Sequence, residues 1–134
     1  MSDKRIERDQ FGHVYGSNTG FTLPNGAVRS PDAAWVSEEN YSLLTESDRQ
    51  RFGHICPDFI IEIKSSSNSL KDLQAKMDDY MQNGSRLGYL VDPAQQVSFV
   101  YQREIPVKKV IGFSAALSGY DVLKGFQLPL SIFL

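Results

Sequence analysis

The chain has 134 residues, enough for one domain that buries roughly two-thirds of its unfolded surface. Apolar residues make up 41% and charged residues 22%, which excludes a disordered or fibrous chain, and a formal net charge of -2 excludes a global basic field. No run approaches the about eighteen apolar residues of a membrane span and Met1 to Arg8 is charged rather than signal-like, so the chain reads as cytoplasmic, with no membrane segment.

Residues 1–134 read as a single domain, in which 1–11 form a poorly ordered or edge segment that runs into a strand at Gly12. Pro24-Asn25-Gly26 between short apolar runs predicts a hairpin over Gly20 to Arg29, because Asn and Gly both tolerate positive φ. Two strands then open alike, Pro31-Asp32 before Ala33-Ala34-Trp35-Val36 and Pro57-Asp58 before Phe59-Ile60-Ile61-Glu62-Ile63-Lys64. Proline has no ladder donor and belongs at a strand's start or edge. Ser37 to Gly53, polar and charged, reads as a loop with a helical turn around Glu46 to Arg51. Cys56 is the only cysteine, so no intrachain disulfide forms, and with His13 and His54 it falls short of a four-ligand zinc set.

After a serine-rich turn, Leu70, Leu73, Met77, Tyr80 and Met81 recur at helical spacing. Ser69 is placed to cap this helix, Asp72 to favour its N-terminal dipole and Gly84 to take its left-handed stop. Gly88 to Val91 reads as a buried strand, Asp92-Pro93-Ala94 as a turn and Val97 to Tyr101 as another strand, so the strand-helix-strand passage predicts a parallel crossover. Arg103 to Ile111 reads as one more strand. Gly125-Phe126 and Leu128-Pro129-Leu130 read as an apolar tail.

Strand alternation sets Asp58, Ile60, Glu62 and Lys64 on one face, with Phe59, Ile61 and Ile63 on the other, expected to be the core face. An acid and a lysine two residues apart on a strand can converge on one ligand. A hard divalent cation takes one or two carboxylates and keeps several waters, while an ammonium orients the attacking water or offsets charge on phosphorus, so the pair suits phosphodiester hydrolysis. Glu62-Ile63-Lys64 alone is uninformative, because that pattern arises by chance in about half of chains this long. Its weight comes from interrupting an apolar strand directly before a turn. Asp32, also after a proline, adds a second carboxylate, whereas Asp58 reads as structural.

Ser30-Pro31-Asp32-Ala33-Ala34-Trp35-Val36, Pro57 to Ser65, Lys76 to Tyr80, Asn83-Gly84 and Gly88 to Pro93 together resemble the Uma-type restriction endonucleases of the PD-(D/E)XK superfamily, over about Gly12 to Phe133. The resemblance implies an α/β (α+β) restriction-endonuclease-like core, a mixed sheet with flanking helices, assembled as a homodimer and acting on nucleic acid, DNA above all. It implies Mg2+ or Mn2+ at the sheet edge. Position by position, Asp32 matches the first acid and Glu62 the second, the two metal ligands, and Lys64 matches the lysine. Members without a lysine on the strand use one from the following helix, here Lys76.

Members usually carry an N-terminal helical region that adds an acid to the site, and this sequence reads as shortened there. Two expectations follow: a metal-dependent endonuclease, or a catalytically impaired homologue that serves as a binding or assembly module. The apolar stretch Leu128 to Leu134 is expected to be covered by a second copy, or else to dock on the domain's own sheet.

Overall fold

The computed structural model describes residues 12–47 and 54–134. The expected edge segment 1–11 lies outside these residues, and so does most of the helical turn expected at Glu46 to Arg51. Six strands form one sheet in the order β1 (Gly12–Gly16), β4 (Ala33–Ser37), β5 (Phe59–Ile63), β6 (Leu87–Asp92), β7 (Val97–Gln102) and β8 (Ile105–Ile111). Every pairing is antiparallel except β5 with β6, which is parallel, with Ile60 opposite Gly88 and Glu62 opposite Leu90. The sheet is mixed, as expected. β2 (Phe21–Thr22) and β3 (Val28–Arg29) make the predicted hairpin, with Gly26 at φ +90° in its turn.

Helix α2 (Leu70–Gln82) is the crossover between β5 and β6. The Ser69 hydroxyl accepts from the Asp72 amide, and past the C-cap Asn83 the chain turns at Gly84, φ +126°, as the sequence predicts. Leu73, Met77 and Tyr80 are buried against Ile60, Leu90 and Phe99, contributing about 1.5–3 kcal/mol each for the aliphatic members. A Cβ on Gly88 would lie 2.6 Å from Ile60 Cδ1 and 2.7 Å from Met77 Cε, so the helix settles where β6 offers no side chain. From its other side the hairpin grips α2. Asn25 Nδ2 donates to Asp79 Oδ1 at 2.8 Å, and Arg29 Nε and Nη2 donate to Asp79 Oδ2 at 3.2 Å.

Both faces of the sheet are core, not only the face of Phe59, Ile61 and Ile63. Ile60, Leu90 and Phe99 pack under α2, while Trp35, Phe59, Tyr89, Val91 and Val100 pack under the C-terminal residues. That second layer is not helical: it is the ribbon β9 (Ala116–Ser118) with β10 (Gln127–Pro129), followed by a 3-10 turn, Leu130–Phe133. Leu130 is fully buried and Phe126, Leu128 and Phe133 pack on the same cluster, so the tail docks on the domain's own sheet and, of its large apolar side chains, leaves Ile132 and Leu134 exposed.

Two local readings change. The stretch after Ser37 is not simply a loop, because it opens with helix α1 (Glu38–Tyr41), whose Asn40 amide donates to the Ser37 hydroxyl. Arg103 and Glu104 form a turn, with Glu104 at φ 60°, so β8 starts at Ile105 and makes a hairpin with β7. β8 is an edge strand that leaves Ile105, Val107 and Ile111 exposed. Among the described residues no helix is long and apolar enough to cross a membrane.

Candidate active site

Asp32 stands one residue before β4, and extending the pairing of Ala33 with Ile61 puts it opposite Glu62. Cross-strand neighbours on one face have Cβ atoms roughly 5 Å apart. Asp32 Oδ2 accepts the Ile63 amide at 2.7 Å, so the backbone of β5 fixes the first carboxylate beside the second. No donor among the described residues reaches Asp32 Oδ1, and Asp32 is exposed.

Glu62 is only 4% exposed, beneath α2. Its Oε2 accepts the Tyr80 hydroxyl at 2.9 Å and lies 3.7 Å from Lys76 Nζ. Tyr80 and Lys76 are four residues apart, one turn of the same helix, which is why both reach one oxygen. Among the described residues no donor reaches Oε1. Burial raises the Glu62 pKa above the usual carboxylate value; the Lys76 ammonium and the Tyr80 hydroxyl oppose the shift, and the charge of Asp32 adds to it. Burial, then the Glu62 charge, pushes the Tyr80 phenol far upward, so it remains a proton donor to Glu62.

The structure thus brings together three of the four sequence-predicted residues, Asp32, Glu62 and Lys76. Lys64 is not among them: its Nζ donates to the Ser65 carbonyl at 3.4 Å and forms no ion pair among the described residues. Tyr80 was legible only as part of the helix's buried stripe. The missing signal was its hydroxyl, since a phenol sealed in a core requires a partner and Glu62 is the acceptor within reach.

The opposite end of β5 has a different character. Asp58, 2% exposed, accepts the Ser37 amide at 2.7 Å on Oδ1, and on Oδ2 it accepts Asn40 Nδ2 at 2.9 Å and Arg86 Nε at 3.1 Å. It ties β4, α1 and the start of β6 together. Cys56 is buried, with its thiol pKa raised by burial, and its Sγ lies 3.3 Å from the Ser85 hydroxyl.

Asp32 Oδ1, just before β4, and Glu62 Oε1, on β5, two carboxylate oxygens that no donor among the described residues reaches, suit a hard divalent cation that completes its shell with water. Among the described residues no three His, Cys, Asp or Glu side chains converge as a larger cluster.

A sequence model of the family Uma2, described as "Putative restriction endonuclease", matches residues 3–131. The crystal structure of a putative nuclease belonging to DUF820 from Anabaena variabilis ATCC 29413 is similar over 98% of this chain and 75% of that one, with a TM-score of 0.77 at 18% identity. A DrdV-DNA complex solved by cryo-electron microscopy is similar over 80% of this chain and 9% of that one, with a TM-score of 0.43 at 13% identity. No curated protein matches the chain. The mixed sheet with its single crossover helix is a restriction-endonuclease-like α+β fold.

Proposed function

From the premise that this chain belongs to the Uma2 family of restriction-endonuclease-like proteins, we propose that it is a divalent-metal-dependent endonuclease hydrolysing phosphodiester bonds in DNA. One observation carries the reading: Asp32 and Glu62 are each anchored through one oxygen while the other has no donor. Asp32 and Glu62 would hold Mg2+ or Mn2+, and the bound ion would supply Lewis-acid polarisation of a phosphoryl oxygen and an activated water.

The chain's own residues do the rest. The Ile63 amide and the Tyr80 hydroxyl orient the two carboxylates. Lys76, on α2, opposes the upward push of burial on the Glu62 pKa and brings a positive charge to where charge builds on phosphorus. Lys64, directly after β5, stands outside this set, its Nζ on the Ser65 carbonyl.

Supercoiled plasmid incubated with Mg2+ or Mn2+ tests the reading, with Glu62→Ala as control: nicking by the native chain alone supports it, and equal nicking by both proteins identifies a contaminant. The absence of a larger acidic cluster among the described residues favours a second reading, a binding or assembly module that keeps the fold without cleavage. Calorimetric titration with Mn2+ separates the two. Micromolar binding that depends on Glu62 supports the enzyme, and its loss from the native chain supports the module. We also propose a homodimer, with β8 and its exposed Ile105, Val107 and Ile111 as the edge a second copy would join. Light scattering at two concentrations tenfold apart checks this: a mass that stays at 15.1 kDa rules the dimer out.

A further inference from the structure

The groups around Glu62 come from three chain segments: Asp32 from the entry to β4, Glu62 from β5, and Lys76 and Tyr80 from α2. Two sides of this triangle close at β5. There β4 pairs with β5 and Asp32 Oδ2 accepts the Ile63 amide, while Leu73 and Met77 of α2 pack in one cluster with Ile60. The third side, from α2 back to the entry of β4, is closed by the hairpin. Arg29, the last residue of β3, donates through Nε and Nη2 to Asp79 Oδ2, and Asn25 Nδ2 donates to Oδ1. The Asp79 side chain is 18% exposed, and both of its oxygens are matched. Among the described residues α2 makes two ion pairs with the rest of the chain, this one and Lys76 with Glu62. The links on either side are short. Asp79 is next to Tyr80 and three residues after Lys76, and Arg29 is three residues before Asp32. Buried Pro31, whose ring fixes φ, stiffens the second link.

We propose that Arg29 is a positioning residue for this site: through Asp79 it sets the rotation of α2 relative to Asp32, and so the aim of Tyr80 and Lys76 at Glu62. Apolar contact is non-directional, so Leu73 and Met77 hold the helix on the sheet but govern its distance more than its rotation. A guanidinium with two N–H groups on one carboxylate oxygen is directional and charge-assisted. Direction is what the site needs, because the hydrogen bond from Tyr80 to Glu62 weakens steeply as its alignment is lost. In a reacting constellation a misplacement of about 1 Å costs about 10²-fold. The consequence for metal rests on the nuclease reading of Asp32 and Glu62, but the aim of Tyr80 does not.

That aim is therefore measured first and without metal, from the 13C shift of Tyr80 Cζ in tyrosine-labelled protein. Glu62→Ala supplies the reference for a phenol that has lost its acceptor. Arg29→Gln and Asp79→Asn should both move the signal from its native position toward that reference, with the amide spectrum still that of a folded chain. Arg29→Lys, which keeps the charge but not the fork, should fall between. Calorimetric titration with Mn2+ follows, and affinity should drop about threefold to tenfold in both variants, at or below the low end for groups that hold a metal ligand directly. The sign separates positioning from charge acting straight through space, where removing a cation tightens Mn2+ binding and removing an anion weakens it. Positioning weakens both, and the double variant should be no weaker than the worse single one, since the two residues act as one unit. A Tyr80 signal unmoved in either variant, tighter Mn2+ binding in Arg29→Gln, additive losses in the double variant, or a moved signal with affinity held overturns the proposal. A lower thermal midpoint with both readouts unchanged marks a purely structural pair and overturns it as well. If the native chain binds no Mn2+ while both variants move the Tyr80 signal, the metal reading fails and the aiming of Tyr80 stands.

Discussion

Asp58, one residue before β5, and Glu62, within it, stand four residues apart, both almost sealed from solvent, and they end in opposite states. Both oxygens of Asp58 are engaged, by an amide, a carboxamide and a guanidinium. Glu62 has its two polar neighbours crowded on Oε2 and no donor on Oε1. A buried carboxylate whose lone pairs are all matched holds structure together, because nothing is left to bind. One that is half matched, beside a second half-matched carboxylate, is chemically unfinished, and burial raises its pKa because its charge is incompletely repaid by the surroundings.

The comparison breaks if the two ends respond alike to mutation. Glu62→Gln keeps the shape of the side chain and removes the charge proposed to hold the metal; Mn2+-dependent plasmid cleavage should fall on the order of 10³-fold, with the thermal midpoint unchanged or raised. Asp58→Ala should do the reverse. It leaves Arg86 and the Ser37 amide without their acceptor and should reduce stability by about 2–3 kcal/mol in urea titrations, below the figure for a sealed pair because the Arg86 side chain is 36% exposed. Mn2+ binding at Glu62 should survive in the fraction that remains folded.

Finer effects sharpen the contrast. Tyr80→Phe preserves packing and deletes one donor to Glu62, so Mn2+ affinity should drop about tenfold, as for other outer partners of metal-binding groups. Because that hydrogen bond favours the ionised form, the pH at which Mn2+ binding reaches half its maximum should move upward in the variant. The smallest effect is on stability in chelator. Glu62 binds its proton more tightly in the folded chain than in the unfolded one, so its contribution is fully present below the ordinary carboxylate value and is lost as pH rises through the raised one. Stability should therefore decline with pH in that interval, by at most about 1.4 kcal/mol per pH unit. In Glu62→Gln this slope should vanish.

Local chemistry made much of the fold legible before any coordinates. Pro24-Asn25-Gly26 gave the hairpin, Ser69 and Gly84 the limits of α2, and Pro31 and Pro57 the entry to two strands that pair side by side. The C-terminal layer was harder, because β9 and β10 are three residues each and the burial of Leu130 depends on a sheet formed far away in sequence. That Asp32 and Glu62 come side by side was readable, Asp32 from the proline before its strand and Glu62 from its interruption of an apolar strand just before a turn. Which of the two lysines lies beside Glu62 was not, since only the seating of α2 brings Lys76 Nζ to Glu62 while Lys64 Nζ turns to the Ser65 carbonyl. Tyr80 was hidden for a related reason: its ring satisfies the helical stripe, and its hydroxyl acts across 18 residues.

The empty place on β6 at Gly88 gives the molecule something like an adjustable spacer. Gly88 has no functional group, yet it fixes how near the helix comes to the sheet and therefore how far Lys76 and Tyr80 stand from Glu62. A methyl at this point would meet the ends of Ile60 and Met77, both flexible, which can swing aside with little displacement of the backbone. A branched residue would meet more than they can yield and would lift the helix. The reach of two helix-borne side chains is thus graded by the bulk of a third residue on the opposite element, so the spacing around Glu62 can be tuned in small steps without altering any group that touches it.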